Sequence, residues 1–121
     1  MTSASVPFTD DDASYEILHD RGCAIVVTSG DIDVQSARHL HEALEAAAVI
    51  SDRLIVDLTH VPFVDSYGVG VLVDAPRRTQ HPPVSLVRPP PVLRRLLDLT
   101  GLGEVMPVYM SREEALAALA R

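Results

Sequence analysis

Four consecutive residues, Asp65-Ser66-Tyr67-Gly68, place a carboxylate, two hydroxyls and a glycine ahead of Val69, Val71, Leu72 and Val73. An Asp followed by a hydroxyl, small residues and an apolar run marks a loop-to-helix transition. Asp65 is expected to cap that helix and organise the loop rather than to ligate a metal, because Asp side chains accept from the first free N–H groups. Ser66 reads as a helix-terminal hydroxyl. Tyr67 reads as an exposed aromatic, a residue type that suits protein interfaces.

The other reactive residue types form weaker sets. Asp57, His60 and Ser66 would be the raw material of a nucleophile triad, but no Gly-x-Ser-x-Gly elbow presents the serine. Gly68 and Gly70 lack the third glycine of a dinucleotide fingerprint and follow a loop, so close helix packing is the expected use. His39 and His41 stand two apart, on different faces of a helix, and predict no metal site. The single cysteine, Cys23, excludes an internal disulfide and is expected in the core. All ten basic residues are arginine, so neither a Schiff-base nor a P-loop lysine exists. No cofactor is expected.

Seventeen acidic residues leave a net charge of −7, which disfavours nucleic acid and suits a partner with a basic face. No apolar run approaches the roughly 18–20 residues that span a bilayer. The opening Met-Thr-Ser-Ala-Ser has no basic-then-apolar leader pattern, so a cytoplasmic protein without membrane insertion is expected.

The elements that must position these residues follow from periodicity. Residues 1–13 are small, polar and acidic, and predict a flexible tail before a single domain over 14–121. Ser14–His19 and Cys23–Thr28 predict a hairpin about Asp20-Arg21-Gly22. Asp33 caps a helix in which Val34, Ala37, Leu40, Ala43, Leu44, Ala47 and Ala48 recur at helical spacing. The run from Arg53 to Leu58 predicts a central strand buried on both faces. Pro76 is expected to end the Ser66 helix near Ala75 or to kink it. A strand at Val84–Val87, a helix after Pro89-Pro90-Pro91 that stops at Gly101, and a strand at Val105–Tyr109 complete the pattern. A last helix follows, with a Ser111/Glu114 capping box. The result is an α/β fold: a mixed sheet of four to five strands with about four helices packed on it.

Four motifs in register carry a family resemblance over nearly the whole chain. They are Gly30-Asp31-Ile32-Asp33, Leu54–Leu58 with Val61-Pro62-Phe63-Val64-Asp65-Ser66, Leu97-Asp98-Leu99-Thr100-Gly101-Leu102, and Ser111-Arg112-Glu113-Glu114-Ala115. In these the sequence resembles the STAS domain family of bacterial anti-sigma factor antagonists.

The resemblance implies a non-catalytic binding protein. Its partner would be an anti-sigma factor of the ATP-binding serine-kinase type, whose capture frees a sigma factor; a homodimer is compatible with it. It also implies a binding surface of Asp31, Asp33, Asp65, Ser66, Tyr67 and Gly68, with Asp33 as a mate for a partner arginine. In such antagonists the signature reads Asp-Ser-Ser/Thr-Gly and its third residue is the phosphoacceptor. A phosphate there is tolerated by the helix end and repels an acidic partner. Here Tyr67 takes that position, leaving Ser66 and Tyr67 as the phosphoacceptor candidates and predicting an antagonist that stays unphosphorylated. The alternative is a STAS scaffold subunit of a larger sensing assembly or of a transport system. A small nucleotide-binding or hydrolytic enzyme is disfavoured by the missing P-loop and elbow.

Overall fold

The computed structural model describes residues 2–9, 13–79 and 84–120. Six strands form one sheet in chain order: β1 (Thr2–Thr9), β2 (Ala13–Asp20), β3 (Cys23–Gly30), β4 (Leu54–His60), β5 (Ser85–Val87) and β6 (Val108–Tyr109). The first three pair antiparallel, and β3 to β6 run parallel. The helices are α1 (Val34–Ile50), α2 (Ser66–Thr79), α3 (Pro91–Thr100) and α4 (Arg112–Leu119). The mixed α/β sheet carrying four helices is the expected one, with one strand more.

That strand is β1. The expected tail over 1–13 is corrected for Thr2–Thr9, which pair with β2 through Thr2 opposite His19 and Phe8 opposite Tyr15. Asp10, Asp11 and Asp12 lie outside the described residues. Ala4, Val6 and Phe8 alternate with Ser3, Ser5 and Pro7, a strand period that the small, polar composition of the segment obscured, and Pro7 argues against a central strand. At a sheet edge a proline is tolerated because one side of the strand needs no donor, and the register shifts between Ala4 and Phe8.

The β2–β3 hairpin forms where expected, with a turn one residue shorter than Asp20-Arg21-Gly22 because Asp20 pairs with Cys23. Arg21 and Gly22 both take positive φ, 49° and 81°, the mirror-image turn that matches strand twist. In β4, residues Leu54 to Leu58 are all buried, as a strand covered on both faces requires. Alternation then divides the core. Ala24, Val26, Leu54, Val56 and Leu86 face the larger cluster with Leu40 and Leu44 of α1, Leu72 of α2 and Leu97 of α3. Cys23, Ile25, Ile55 and Val87 face the smaller cluster with Ala115 and Leu116 of α4. Cys23 is therefore a core residue.

Two further expectations are corrected. The expected end of α2 near Ala75 is overturned, since the helix continues to Thr79 with Pro76 inside it. Proline already has a helical φ; what it forfeits is the single N–H bond to the carbonyl of Leu72. The strand expected from Val105 shrinks to Val108–Tyr109, because Leu102–Glu104 form a turn of 3₁₀ helix after Gly101. Gly101 ends α3 in the left-handed conformation at φ 76°, as its position suggested.

Candidate functional site

Because β3, β4, β5 and β6 are parallel, the segments leaving their carboxyl ends gather at one edge of the sheet. In open α/β sheets that edge is where binding residues collect. The segment 30–33 leaves β3 and the segment 61–65 leaves β4, and the two are zipped together by backbone bonds. Ile32 N–H donates to Phe63 O at 2.9 Å, and Asp65 N–H donates to Ile32 O at 3.0 Å. Ile32 and Val64 form a parallel bridge, with both side chains buried. This bridge brings Asp31, Asp33 and Asp65 onto one surface although they are 34 positions apart at the extremes of the set.

The helices that follow β3 and β4 each start at an aspartate. Asp33 Oδ1 accepts from Gln35 N–H and Ser36 N–H at 3.0 Å each, while Ser36 Oγ accepts from Asp33 N–H at 2.8 Å. The reciprocal pair is a capping box with serine in the returning position. The bonds from Ser36, and then from Gln35, hold the Asp33 carboxyl below the usual carboxylate range. Asp65 Oδ1 accepts from Tyr67 N–H at 2.9 Å and Gly68 N–H at 3.1 Å, and Asp65 O accepts the first helical bond from Val69. Asp65 is thus a cap, as its position before a hydroxyl and glycine predicted. The Asp31 carboxylate has no internal partner among the described residues; its backbone carbonyl takes the Ser36 hydroxyl.

Gly68 is required by packing. A Cβ there would lie 2.7 Å from both Ile32 Cγ2 and Val64 Cγ1, inside the side chains of the bridging pair. Gly70 meets nothing within 4 Å, so the close-packing role expected for both glycines falls to Gly68 alone.

Ser66 and Tyr67 project from the first turn of α2, and both are exposed. Tyr67 keeps 62% of its surface open, Phe63 48% and Val34 56%. Phe63 and Val34 adjoin the zipped segments, so three large apolar side chains crown the edge that carries the three aspartates. Sequence reasoning missed two of them. Val34 was expected on the buried face of α1 because it fits the helical spacing, yet as the first helical residue it precedes the sheet contact. Phe63 enters the sequence analysis only within the Val61–Ser66 motif, where its flanking Val61 and Val64 are buried and it alone of the three apolar side chains is exposed.

The nucleophile set does not assemble. Asp57 turns to the α4 side of the sheet, where Oδ2 takes Arg112 Nη2 at 3.0 Å and Nε at 3.2 Å, and Oδ1 takes Thr59 N–H at 3.0 Å. Ser66 belongs to a helix on the opposite side. His41 pairs with Glu45 one turn along α1 at 2.7 Å. No group of three metal-ligating side chains occurs among the described residues. Among them, no helix is long and apolar enough to cross a membrane.

Comparison with known proteins agrees with this geometry. The family model of the STAS domain matches residues 14–115. An anti-sigma F factor antagonist of Paenibacillus polymyxa is 30% identical over 86% of this chain and 92% of its own. The crystal structure of an anti-sigma factor antagonist from Mycobacterium paratuberculosis superposes with a TM-score of 0.78 at 28% identity, covering 91% of this chain and 96% of that one. The phosphorylated form of the Bacillus cell fate determinant SpoIIAA shares the fold, with a TM-score of 0.69 at 21% identity over 87% of this chain and 98% of that one.

Proposed function

The chain belongs to the STAS domain family, and from that premise we propose that it is an anti-sigma factor antagonist whose binding surface is the carboxyl edge of its parallel strands. In this reading it captures an anti-sigma factor of the ATP-binding serine-kinase type and so releases a sigma factor. Asp31, Asp33, Asp65, Ser66, Tyr67 and Gly68 are the proposed contact set, joined by Val34 and Phe63. The observation that supports it best is the exposed trio of Val34, Phe63 and Tyr67, held on a rigid base of two capped helix starts and one backbone zipper. Aromatic anchors surrounded by polar groups carry a large share of binding energy in protein interfaces.

The aspartates divide the work. Oδ1 of Asp33 and of Asp65 is committed to capping, so these two hold the surface in shape. Asp31 offers a carboxylate with both oxygens open, and Asp33 offers its Oδ2; both are suited to a partner guanidinium.

Tyr67 changes the regulation. A serine-kinase site places the phosphoryl group within near-attack distance of a short hydroxyl, whereas a phenol carries its oxygen several ångströms out on a rigid ring. The antagonist is proposed to stay unphosphorylated and to bind its partner without the switch. The direct test is displacement: added to a preformed complex of the cognate anti-sigma factor with its sigma factor, the chain is expected to free sigma stoichiometrically. A complex that keeps its sigma factor under molar excess of the chain would overturn the proposal.

A further inference from the structure

Beside the surface just described, the same edge of the sheet holds a groove of about 490 Å³ between the carboxyl ends of β4 and β5. Val61, Pro62 and Met110 give it apolar walls, the Pro89–Pro91 run stiffens one side, and Arg88 and Arg94 stand in its lining. Among the described residues no acidic side chain lines it, in a chain with seventeen acidic residues. Three features of the groove bear on what would fill it.

The first is Arg88, which takes φ 49° immediately before Pro89. Left-handed backbone is unfavourable for an arginine and falls outside the extended region a residue before proline prefers. Such outliers persist where the surroundings hold them, and they concentrate at binding sites. Here the Arg88 N–H donates to Tyr109 O at 3.0 Å, which fixes the strained residue to β6. Its guanidinium is exposed and has no ion pair or side-chain bond among the described residues. Arg94 is held only by Asp98, one turn along α3 at 3.6 Å, in an exposed pair of little strength.

The second feature is the shortage of backbone donors. Residues 89, 90 and 91 are prolines, the Arg88 N–H is used, and the Thr59 N–H is bonded to Asp57. Strand addition along this wall therefore has little to pair with, and recognition must come from side chains. The third is apolar exposure at the rim, where Met110 keeps 60% of its surface open. An unbranched thioether adapts to varied apolar partners.

We propose that this groove is a docking site for an acidic segment of a protein partner, in which a carboxylate lies next to a leucine-like side chain. The carboxylate meets the Arg88 and Arg94 guanidiniums in forked geometry, and the apolar neighbour packs on Met110 and Pro62. Charge complementarity selects this occupant: two arginines with no acidic neighbour in the lining favour a negative group, and the apolar walls favour one flanked by hydrophobic residues.

The test uses the isotope-labelled full chain and short synthetic peptides, with no anti-sigma factor present, so its outcome is independent of the proposed function. A peptide of alternating glutamate and leucine is expected to shift the Thr59, Arg88 and Arg94 amide signals and the Met110 methyl signal, with the shifts weakened by salt. Its glutamine–leucine counterpart is expected to bind at least about tenfold more weakly, the value of one charge-assisted bond. Arg88→Gly suits the left-handed backbone and so keeps the fold while removing the guanidinium; it and Arg94→Gln are each expected to cost a similar factor. The proposal is overturned if the two peptides bind equally or neither binds at millimolar concentration. It is likewise overturned if the arginine variants bind as the wild type does, or if free glutamate or inorganic phosphate alone reproduces the shifts.

Discussion

The two ends of the sheet treat their polar groups in opposite ways. At the amino end of β3 and β4 the chain satisfies itself. Ser51 Oγ donates to Gly22 O at 2.6 Å, Arg53 donates to the Leu119 carbonyl, and Arg21 forms a forked pair with Glu113 at 2.8 Å on both arms. That pair holds the Glu113 carboxyl below its usual range and the Arg21 guanidinium above its own. At the carboxyl end, on the face that carries α1, α2 and α3, the internal bonds run along the backbone and into the two aspartate caps. Asp31, Tyr67, Phe63 and Arg88 are left facing outward. Groups bonded within the chain are unavailable to a partner, so the contrast assigns the closed end to stability and the open end to binding.

That division can be broken by substitution, and the largest effect is expected at the open end. Removing both aromatics, Phe63→Ala with Tyr67→Ala, should weaken capture of the anti-sigma factor by about 2–4 kcal/mol, as for interface anchors. The thermal midpoint should stay within a degree or two, since both side chains are exposed; titration calorimetry beside a melting curve separates the two readouts. Gly68→Ala tests whether the zipper underlies the surface. Its Cβ would collide with Ile32 and Val64, and a loss of about 1–3 kcal/mol is expected in urea unfolding, with weaker partner binding alongside.

At the α4 side the pattern should invert. Arg112→Ala strands the buried Asp57 carboxylate, leaving it with Thr59 alone. Because the Arg112 side chain is about one-third open, a loss of about 1–2 kcal/mol in urea is expected, with partner affinity unchanged. Equal effects of this change and the aromatic pair on binding would dissolve the distinction between the regions.

The smallest effect concerns acid. Asp33 has a lowered carboxyl pKa in the folded chain, so its cap contributes fully above the unfolded carboxylate range. The contribution fades as pH falls through the lowered value. Asp33→Asn keeps a good cap that does not titrate. Its thermal midpoint should therefore fall less steeply than that of the wild type between neutral and acid pH.

What was legible in the sequence was local. Asp33 and Asp65 announce caps through residues within three positions, and Gly101 and the Arg21-Gly22 turn need only their own backbone. The features that escaped depend on distant neighbours. Val34 looked buried by period, and its exposure follows from where α1 meets the sheet. The pairing of Asp57 with Arg112 joins residues 55 apart. β1 carries only the short alternation of Ala4, Val6 and Phe8, interrupted by Pro7, and its pairing depends on the edge that β2 offers. At the proposed surface, Tyr67 stood out by its place in a motif, whereas Asp31, Asp33 and Val34 joined its segment through the Ile32–Val64 bridge, which no local pattern encodes.

The central claim is that the open end holds an anti-sigma factor without a serine switch, and intact-mass spectrometry tests it directly. Wild type and Tyr67→Ser are each incubated with the cognate anti-sigma factor and ATP. The account predicts no added phosphate on the wild type and one on Tyr67→Ser, where a short hydroxyl returns to the helix start that tolerates the charge. A stoichiometric phosphate on the wild type, mapped to Ser66 or Tyr67, would contradict it.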